Sequence, residues 1–360
     1  MSEPRSRRRI ASLAFRVLSI LAGLAATIWV AARVGASPGD LIRIPAQAHL
    51  LALAAMTVEM LSRATRVRLL AGAVGVPLRF WTALRAQFAA DAAGAVTPSK
   101  VGADPAKIWI MGSDGASLGG RGAVLLGEMA WEASVLLVVA IVLTLFAPIS
   151  RAVPLAIVSY AAMVFVLGGV AVWAARSAGT RPPRVWTALR LTPARWHSLQ
   201  EQGRAFIDHA GDLRRVPWPV NVGVLVSTLT HMAARVLVLA ALILGWTGIP
   251  EGGLTALILW PFALLYLGTL LPPPGGGGVL EVGFASALDG VLSSAVLPAA
   301  LLWWRFYTYY LPAMVGGLVL MSGRRERPLD RAAHPPAEVT SPTDAAPHAD
   351  APPETSPAEG

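Results

Sequence analysis

Hydrophobic positions along this chain fall into long runs, not alternations, and polar residues gather between the runs. Crossing the hydrocarbon of a bilayer takes roughly 20 mainly apolar residues in a helix. Six segments meet that requirement: 17–34, 46–62, 122–146, 152–175, 219–246 and 295–321. Their internal charges are few: Arg33 at the end of the first, Glu59 in the second, Glu128 and Glu132 in the third, His231 and Arg235 in the fifth, and Arg305 in the last. Two further apolar regions are interrupted. Residues 81–118 are broken by Gly94, Pro98, Gly102 and Pro105, and residues 254–294 by Pro261 and by the stretch 272–278. Such breaks leave backbone amides unpaired, so they sit at membrane depth only inside protein or beside a water-filled cavity. Each region reads as a re-entrant hairpin; the alternative is one full span plus a surface loop in each.

The order of elements is span, span, broken hairpin, span, and then the same again. Three spans per set give the two sets opposite orientations. Each hairpin has a Pro–Gly break followed by an acid: Pro98, Gly102 and Asp104 in the first, Pro274, Gly278 and Glu281 in the second. That is the pattern of a transporter built from inverted repeats, with its site at the midplane between broken helices. The fold class expected is an all-α polytopic membrane protein, with about six full spans plus two re-entrant hairpins in an inverted repeat.

Charge then orients the chain. With the N-terminus on the cytoplasmic side, 25 of the 30 basic residues fall inside, among them Arg63, Arg66 and Arg68; Arg33, Arg43 and Arg151 fall outside, while Arg235 and Arg305 stay within the membrane. Six spans return the C-terminus to the inside, where Arg324 and Arg325 belong. The domains expected are a basic leader over 1–15 and a transmembrane domain over 16–322. Its repeats cover about 16–150 and 151–322, with a cytoplasmic loop at 176–216, and a disordered Pro-rich acidic tail follows over 323–360. Within the loop, Trp196, Leu199, Phe206, Ile207 and Ala210 fall near helical spacing, as in an amphipathic helix lying on the inner leaflet or docking a partner. Residues 17–32 after the basic leader also have the outline of a signal peptide, but the run is long for one and Arg33 lies close to the cut.

Composition narrows the chemistry. Fifty-five per cent of the 360 residues are apolar and 14% charged, against about 25% charged in a soluble domain. There is no cysteine, which removes disulfides, thiolate metal sites and cysteine nucleophiles. The six histidines show no pair at metal-ligand spacing, so no metal or other cofactor is expected. The net charge of +9 sits between apolar runs, where topology explains it better than nucleic acid does.

Ionisable groups inside spans are costly and mark candidate sites. Glu128 and Glu132 are four apart, so they share a helix face, and Glu132 lies roughly 15 Å from Arg121 along the axis. Arg305 enters to similar depth from the other side, so an acid–Arg305 pair is expected, either static or opening to take a headgroup or a proton. In the first break, Asp104 before Pro105 reads as an N-cap, and the helix start it marks suits an anion such as phosphate. The only lysines, Lys100 and Lys107, lie here, as phosphate contacts or as snorkelling interface anchors. In the second break, Gly275, Gly276 and Gly278 precede Glu281, and consecutive amides of such a tip form either an anion nest or a tight packed hairpin. His231 and Arg235 share a face, as a proton relay or with Arg235 partnering Glu59, Asp289 or Glu281.

At these residues the chain resembles the transmembrane region of the lysylphosphatidylglycerol synthases, a family of flippase-like integral membrane proteins. The first family motif matches Thr97, Pro98, Lys100, Gly102 and Asp104, with Glu128 and Glu132 on the next span; the second matches Pro274, Gly275, Gly276, Gly278 and Glu281, followed by Arg305. The chain departs from the pattern at Asp104-Pro105, where Glu then a basic residue is usual, and at Glu132, where Asp is common. No segment resembling the family's aminoacyltransferase domain follows residue 321. In the synthases that soluble domain makes the aminoacyl lipid and the membrane part is taken to translocate it. The resemblance therefore implies a translocase for a phospholipid or polyprenyl-phosphate-linked lipid, not ATP-driven and not an enzyme. The candidate substrate-binding residues are Lys100, Asp104, Glu128, Glu132, Arg235, Gly275, Gly276, Gly278, Glu281 and Arg305. The alternatives are a membrane-embedded lipid-phosphate phosphatase or transferase, and a scaffold of an envelope-glycolipid assembly complex. Expected partners are an anionic lipid, the membrane and envelope-biosynthesis proteins, with no nucleic acid. The expected location is a bacterial plasma membrane with both termini cytoplasmic.

Overall fold

The computed structural model describes residues 44–146, 152–177, 193–250, 253–270 and 278–322, with the single positions Ala32, Gly39, Pro273 and Gly276. The expected first span at 17–34, the basic leader, the acidic tail, Gly275 and part of the loop 176–216 lie outside the described residues. What is described is helical, without a strand; one isolated bridge joins Asp289 and Leu292.

Helix α1 covers Ala46–Ala73, eleven residues beyond the expected end at Ser62. Its 28 residues run about 42 Å at 1.5 Å per residue. Arg63 and Arg66, expected in a cytoplasmic loop, are therefore inside a helix. The extension is possible because both arginines find carboxylates on neighbouring helices, so neither is stranded in low dielectric.

The first broken region folds as a helical hairpin. Helix α2 (Phe80–Ala95) ends at a short 3-10 turn, Pro98–Lys100, and α3 (Ala103–Met111) returns against α2. Next come α4 (Leu118–Phe146) and α5 (Ala152–Ser177). The amphipathic helix of the loop is α6 (Pro193–Asp212), and it docks on α4 and α5. Gly119 allows the close approach: a Cβ there would lie 2.3 Å from the Gln202 carbonyl oxygen. Helix α7 (Trp218–Leu244) packs along α1. Small residues make that seam, with Ala48, Ala52 and Ala64 of α1 fully buried and the Cβ position of Gly245 within 2.6 Å of the Ala48 Cα. Close backbone approach over small side chains is how helices associate where lipid removes the hydrophobic drive.

The second broken region also turns back on itself, with one difference from expectation. Helix α8 (Gly253–Leu270) runs through Pro261, so the break lies only between it and α9 (Val279–Leu288), which packs against α8. The last apolar run is α10 (Leu297–Arg305), a π-helical turn over Phe306–Tyr310, and α11 (Leu311–Ser322). Among the described residues, three helical stretches are long and apolar enough to cross a membrane: Leu118–Val142, Ile157–Arg176 and Trp218–Leu244. The chain is a multi-pass membrane protein, all-helical among the described residues, with shorter apolar helices at Gly253–Tyr266 and Val279–Leu288 after those spans.

A buried ion-pair network and a cationic pocket beside an apolar groove

Glu59, Arg63 and Arg66 fall at i, i+4 and i+7 on α1, so one face carries all three. Arg63 donates two hydrogen bonds to Asp91 of α2, at 2.8 and 3.2 Å. Glu59 accepts from Arg235 Nη1 of α7 at 3.2 Å, with Arg63 Nη1 3.8 Å away. Of the three partners open to Arg235 in the sequence, Glu59 is the one it takes. Arg66, 1% exposed, donates through Nη2 to Glu128 at 2.7 Å and to Glu132 at 2.9 Å. Its Nη1 lies 3.4 Å from His231 Nδ1. A guanidinium only donates, so that imidazole nitrogen accepts and the ring proton is assigned to Nε2. Glu128 is gripped from a third side by Lys107 Nζ at 2.8 Å, and Gln87 Nε2 donates to it at 3.2 Å.

Two expectations fail here. Glu132 does not meet Arg305. α1 packs against α4 and brings Arg66 to Glu132, whereas α10 packs against α9, and Arg305 Nε lies 2.8 Å from Glu281 Oε1. Lys107 is not an interface anchor; it is buried and committed to Glu128.

At the first hairpin tip the N-cap of α3 is Gly102, not Asp104, which sits half-buried in the first turn. The Gly102 amide donates to Thr97 Oγ1 at 2.9 Å, and that hydroxyl donates to the Ala93 carbonyl at 2.8 Å. The turn they hold is strained: Ser99 and Lys100 have φ of 46° and 56°, and each non-glycine residue in that region costs about 1–3 kcal/mol. At the second tip, Gly276 and Gly278 adopt φ of 68° and 83°, values that glycine accepts without a Cβ penalty. Their amides are satisfied internally. Gly276 donates to the Pro273 carbonyl at 2.8 Å, and Gly278 to Glu281 Oε2 at 2.7 Å. Glu281 thus caps α9 with one oxygen and holds Arg305 with the other.

Between the two hairpins, Lys100, Arg235 and Arg305 line one small cavity with Leu265, Gly268, Leu280, Thr308 and Tyr309. Its volume is about 20 Å³, room for about one water. Arg235 and Arg305 arrive already paired to Glu59 and Glu281. Lys100 makes no ion pair or hydrogen bond through its ammonium among the described residues. Tyr309 is part of the lining: its hydroxyl donates to the Ala95 carbonyl at 2.8 Å, and the Arg305 guanidinium lies 4.6 Å from its ring centroid. Tyr309 also lines an apolar groove of about 870 Å³, between the end of α2 with Thr97 and the face of α10–α11 carrying Trp303, Phe306 and Tyr310. The π-helical turn puts Tyr309 on both surfaces, and such turns recur at functional sites.

Lys100, Arg235, Arg305 and, behind them, Glu281 are therefore brought together, while Glu128 and Glu132 belong to the Arg66–Lys107 end of the network. Sequence reasoning missed Arg63, Arg66, Gln87, Asp91 and Tyr309. A signal existed for the first two, since a carboxylate and two arginines at helical spacing share a face. Asp91, a lone acid in an alanine-rich helix, carried the same warning.

No curated protein matches the chain. The family described as lysylphosphatidylglycerol synthase TM region matches residues 17–316, a stretch that holds both hairpins, the ion-pair network, Arg305 and the whole cationic pocket. With most of its length and every candidate residue inside that match, the chain belongs to the lysylphosphatidylglycerol synthase TM region family.

Proposed function

We propose that the protein is a lipid translocase that takes the phosphate of a phospholipid or polyprenyl-phosphate-linked lipid at Lys100, Arg235 and Arg305 and carries it between leaflets without ATP. The observation that carries this reading is that Tyr309 lines both a small pocket holding three cations and an apolar groove of about 870 Å³. An amphiphile with an anionic head and a hydrocarbon tail has that division. Among the described residues the pocket lining offers three cations, two hydroxyls and no carboxylate or imidazole, so the reading contains no covalent step. It is a transporter rather than a phosphatase, transferase or scaffold.

The reading includes about six spans in two inverted repeats. Two features support it. Helices α1 and α7, which hold equivalent places in the two halves, pack along one another. In each half the returning helix of the hairpin carries a charge paired to the following span, Lys107 with Glu128 and Glu281 with Arg305. The pocket has almost no free volume in this conformation, as expected of an occluded state in alternating access. Energy comes from an ion gradient or from downhill lipid flow, in a bacterial plasma membrane with both termini cytoplasmic.

The test is a headgroup-accessibility assay in proteoliposomes. A fluorescent anionic lipid in the inner leaflet becomes accessible to an impermeant quencher when the protein is present. Accessibility no greater than in protein-free liposomes rejects the translocase reading.

A further inference from the structure

A second cleft runs between residues 126–130 of α4 and 164–172 of α5, and it shares no lining residue with the cationic pocket or its groove. Its volume is about 360 Å³, within the range of about 300–1,000 Å³ typical of ligand sites. Both walls belong to helices apolar enough to cross a membrane, and Phe165 at the edge is exposed. Glycines make the space. At Gly127 the missing side chain lets α4 approach the turn Leu213–Arg215 that links α6 to α7: its Cβ position is 3.0 Å from Leu213 Cδ2. The Cβ position of Gly169 has no atom within 4 Å, so the cleft is open there. One end is cationic. Arg214 lines the cleft, and Arg176, four residues after Val172, sits one turn beyond it on the same face of α5. Both arginines are exposed, and neither guanidinium has an ion pair or hydrogen bond among the described residues. The acids of α6, Glu201, Asp208 and Asp212, are not in the lining, and Glu128, next to Gly127, is held by Arg66 and Lys107. From 164 to 172 the α5 wall runs about 12 Å, close to half of a hydrocarbon core about 30 Å thick.

We propose that this cleft holds one anionic diacyl phospholipid of the leaflet on the Arg214 side, with an acyl chain along Gly168 and Gly169 and its phosphate at Arg214 and Arg176. That leaflet is the inner one in the orientation proposed above. The site is a resident one, separate from the translocation pocket, and it does not rest on the translocase reading. The acyl chain fills space that no side chain fills, over the depth of one leaflet. The phosphate gives the two arginines charge-assisted hydrogen bonds. A lipid so placed ties α5 to the turn between α6 and α7.

The probes are phosphatidylglycerol and phosphatidylcholine carrying a photoactivatable diazirine in one acyl chain. Each is added to the full chain in nanodiscs of unlabelled phosphatidylcholine, and adducts are mapped by peptide mass spectrometry. The expected result is adducts within 126–130 and 164–172, with phosphatidylglycerol ahead by about fivefold or more, the scale of one basic residue at an anionic surface. Gly169→Leu puts a side chain into the open space and is expected to abolish these adducts. Arg214→Gln with Arg176→Gln leaves the cleft as it is and is expected to erase the preference between the heads. Lys100→Gln is expected to change neither result, which separates this site from the cationic pocket. Equal labelling of the parent protein by both lipids overturns the proposal. Adducts that survive Gly169→Leu at the parent level also overturn it, since the cleft would then be in ordinary contact with surrounding lipid. Displacement of the phosphatidylglycerol adducts by an equimolar free fatty acid assigns the cleft to a fatty acid and overturns the phospholipid.

Discussion

Arg305 and Glu281 are joined across the end of the second hairpin, Nε to Oε1 at 2.8 Å, while the other Glu281 oxygen caps α9 at Gly278. One carboxylate thus fixes both the start of a broken helix and the direction of a pocket cation. Removing either partner leaves a buried charge alone, at about 3–5 kcal/mol. The double change Arg305→Gln with Glu281→Gln is expected to cost clearly less than the sum of the single changes in chemical denaturation. Arg305→Gln with Glu132→Gln is expected to be additive within about 0.5 kcal/mol, because the two residues have different partners.

Arg66 serves two carboxylates, whereas Arg63 serves chiefly Asp91. Arg66→Gln is therefore expected to destabilise more than Arg63→Gln, with the larger loss at about 3–5 kcal/mol. Pairing it with Glu132→Gln recovers part of the loss, since one stranded acid is removed. Thermal unfolding in a single detergent measures the order; a smaller effect at Arg66 contradicts the network as drawn.

Much of the architecture was legible in the apolar runs and their Pro–Gly breaks. Both hairpins, the long α4, α5 and α7, and the amphipathic α6 follow from period and punctuation. The end of α1 was not legible, because a basic cluster after an apolar run reads as a cytoplasmic loop until its partners are known. Arg66 is acceptable inside a helix bundle only because Glu128 and Glu132 come from α4, sixty residues later. For the same reason the partners of Glu132 and Arg305 were assigned to each other: depth along an axis was readable, rotation about it was not. Pro261 interrupts the pattern without breaking α8, because a proline in a buried helix removes only one hydrogen bond that neighbours can make good.

Tyr309 latches the pocket wall to the end of α2 through the Ala95 carbonyl. Tyr309→Phe keeps the ring and loses one hydrogen bond, worth about 1 kcal/mol. Faster exchange of lipid between groove and pocket is expected, with folding unchanged. Exchange at the parent rate in a lipid-competition time course removes the latch from the account.

The inverted repeat predicts that the hairpin tips face opposite sides. Cysteines are informative in this cysteine-free chain. Ser99 and Val279 are exposed, so each accepts a thiol without filling the core. In intact cells Ser99→Cys is expected to react from the inner side and Val279→Cys from the outer side. Labelling of both from one side contradicts the repeat.

The central claim is that Lys100, and not Lys107, is the cation held for the lipid phosphate. Lys107 is locked to Glu128, so Lys107→Gln strands a buried acid and is expected to lower stability and activity together. Lys100→Gln removes a charge with no protein partner among the described residues, so thermal stability should stay at the parent value. The deciding measurement is transport of a fluorescent anionic lipid by Lys100→Gln in proteoliposomes, with unfolding temperature recorded on the same preparation. The expected result is a loss of about tenfold or more, the scale of a charge-assisted hydrogen bond, at unchanged stability and with partial rescue in Lys100→Arg. Transport at the parent rate by a stable Lys100→Gln protein would contradict the account.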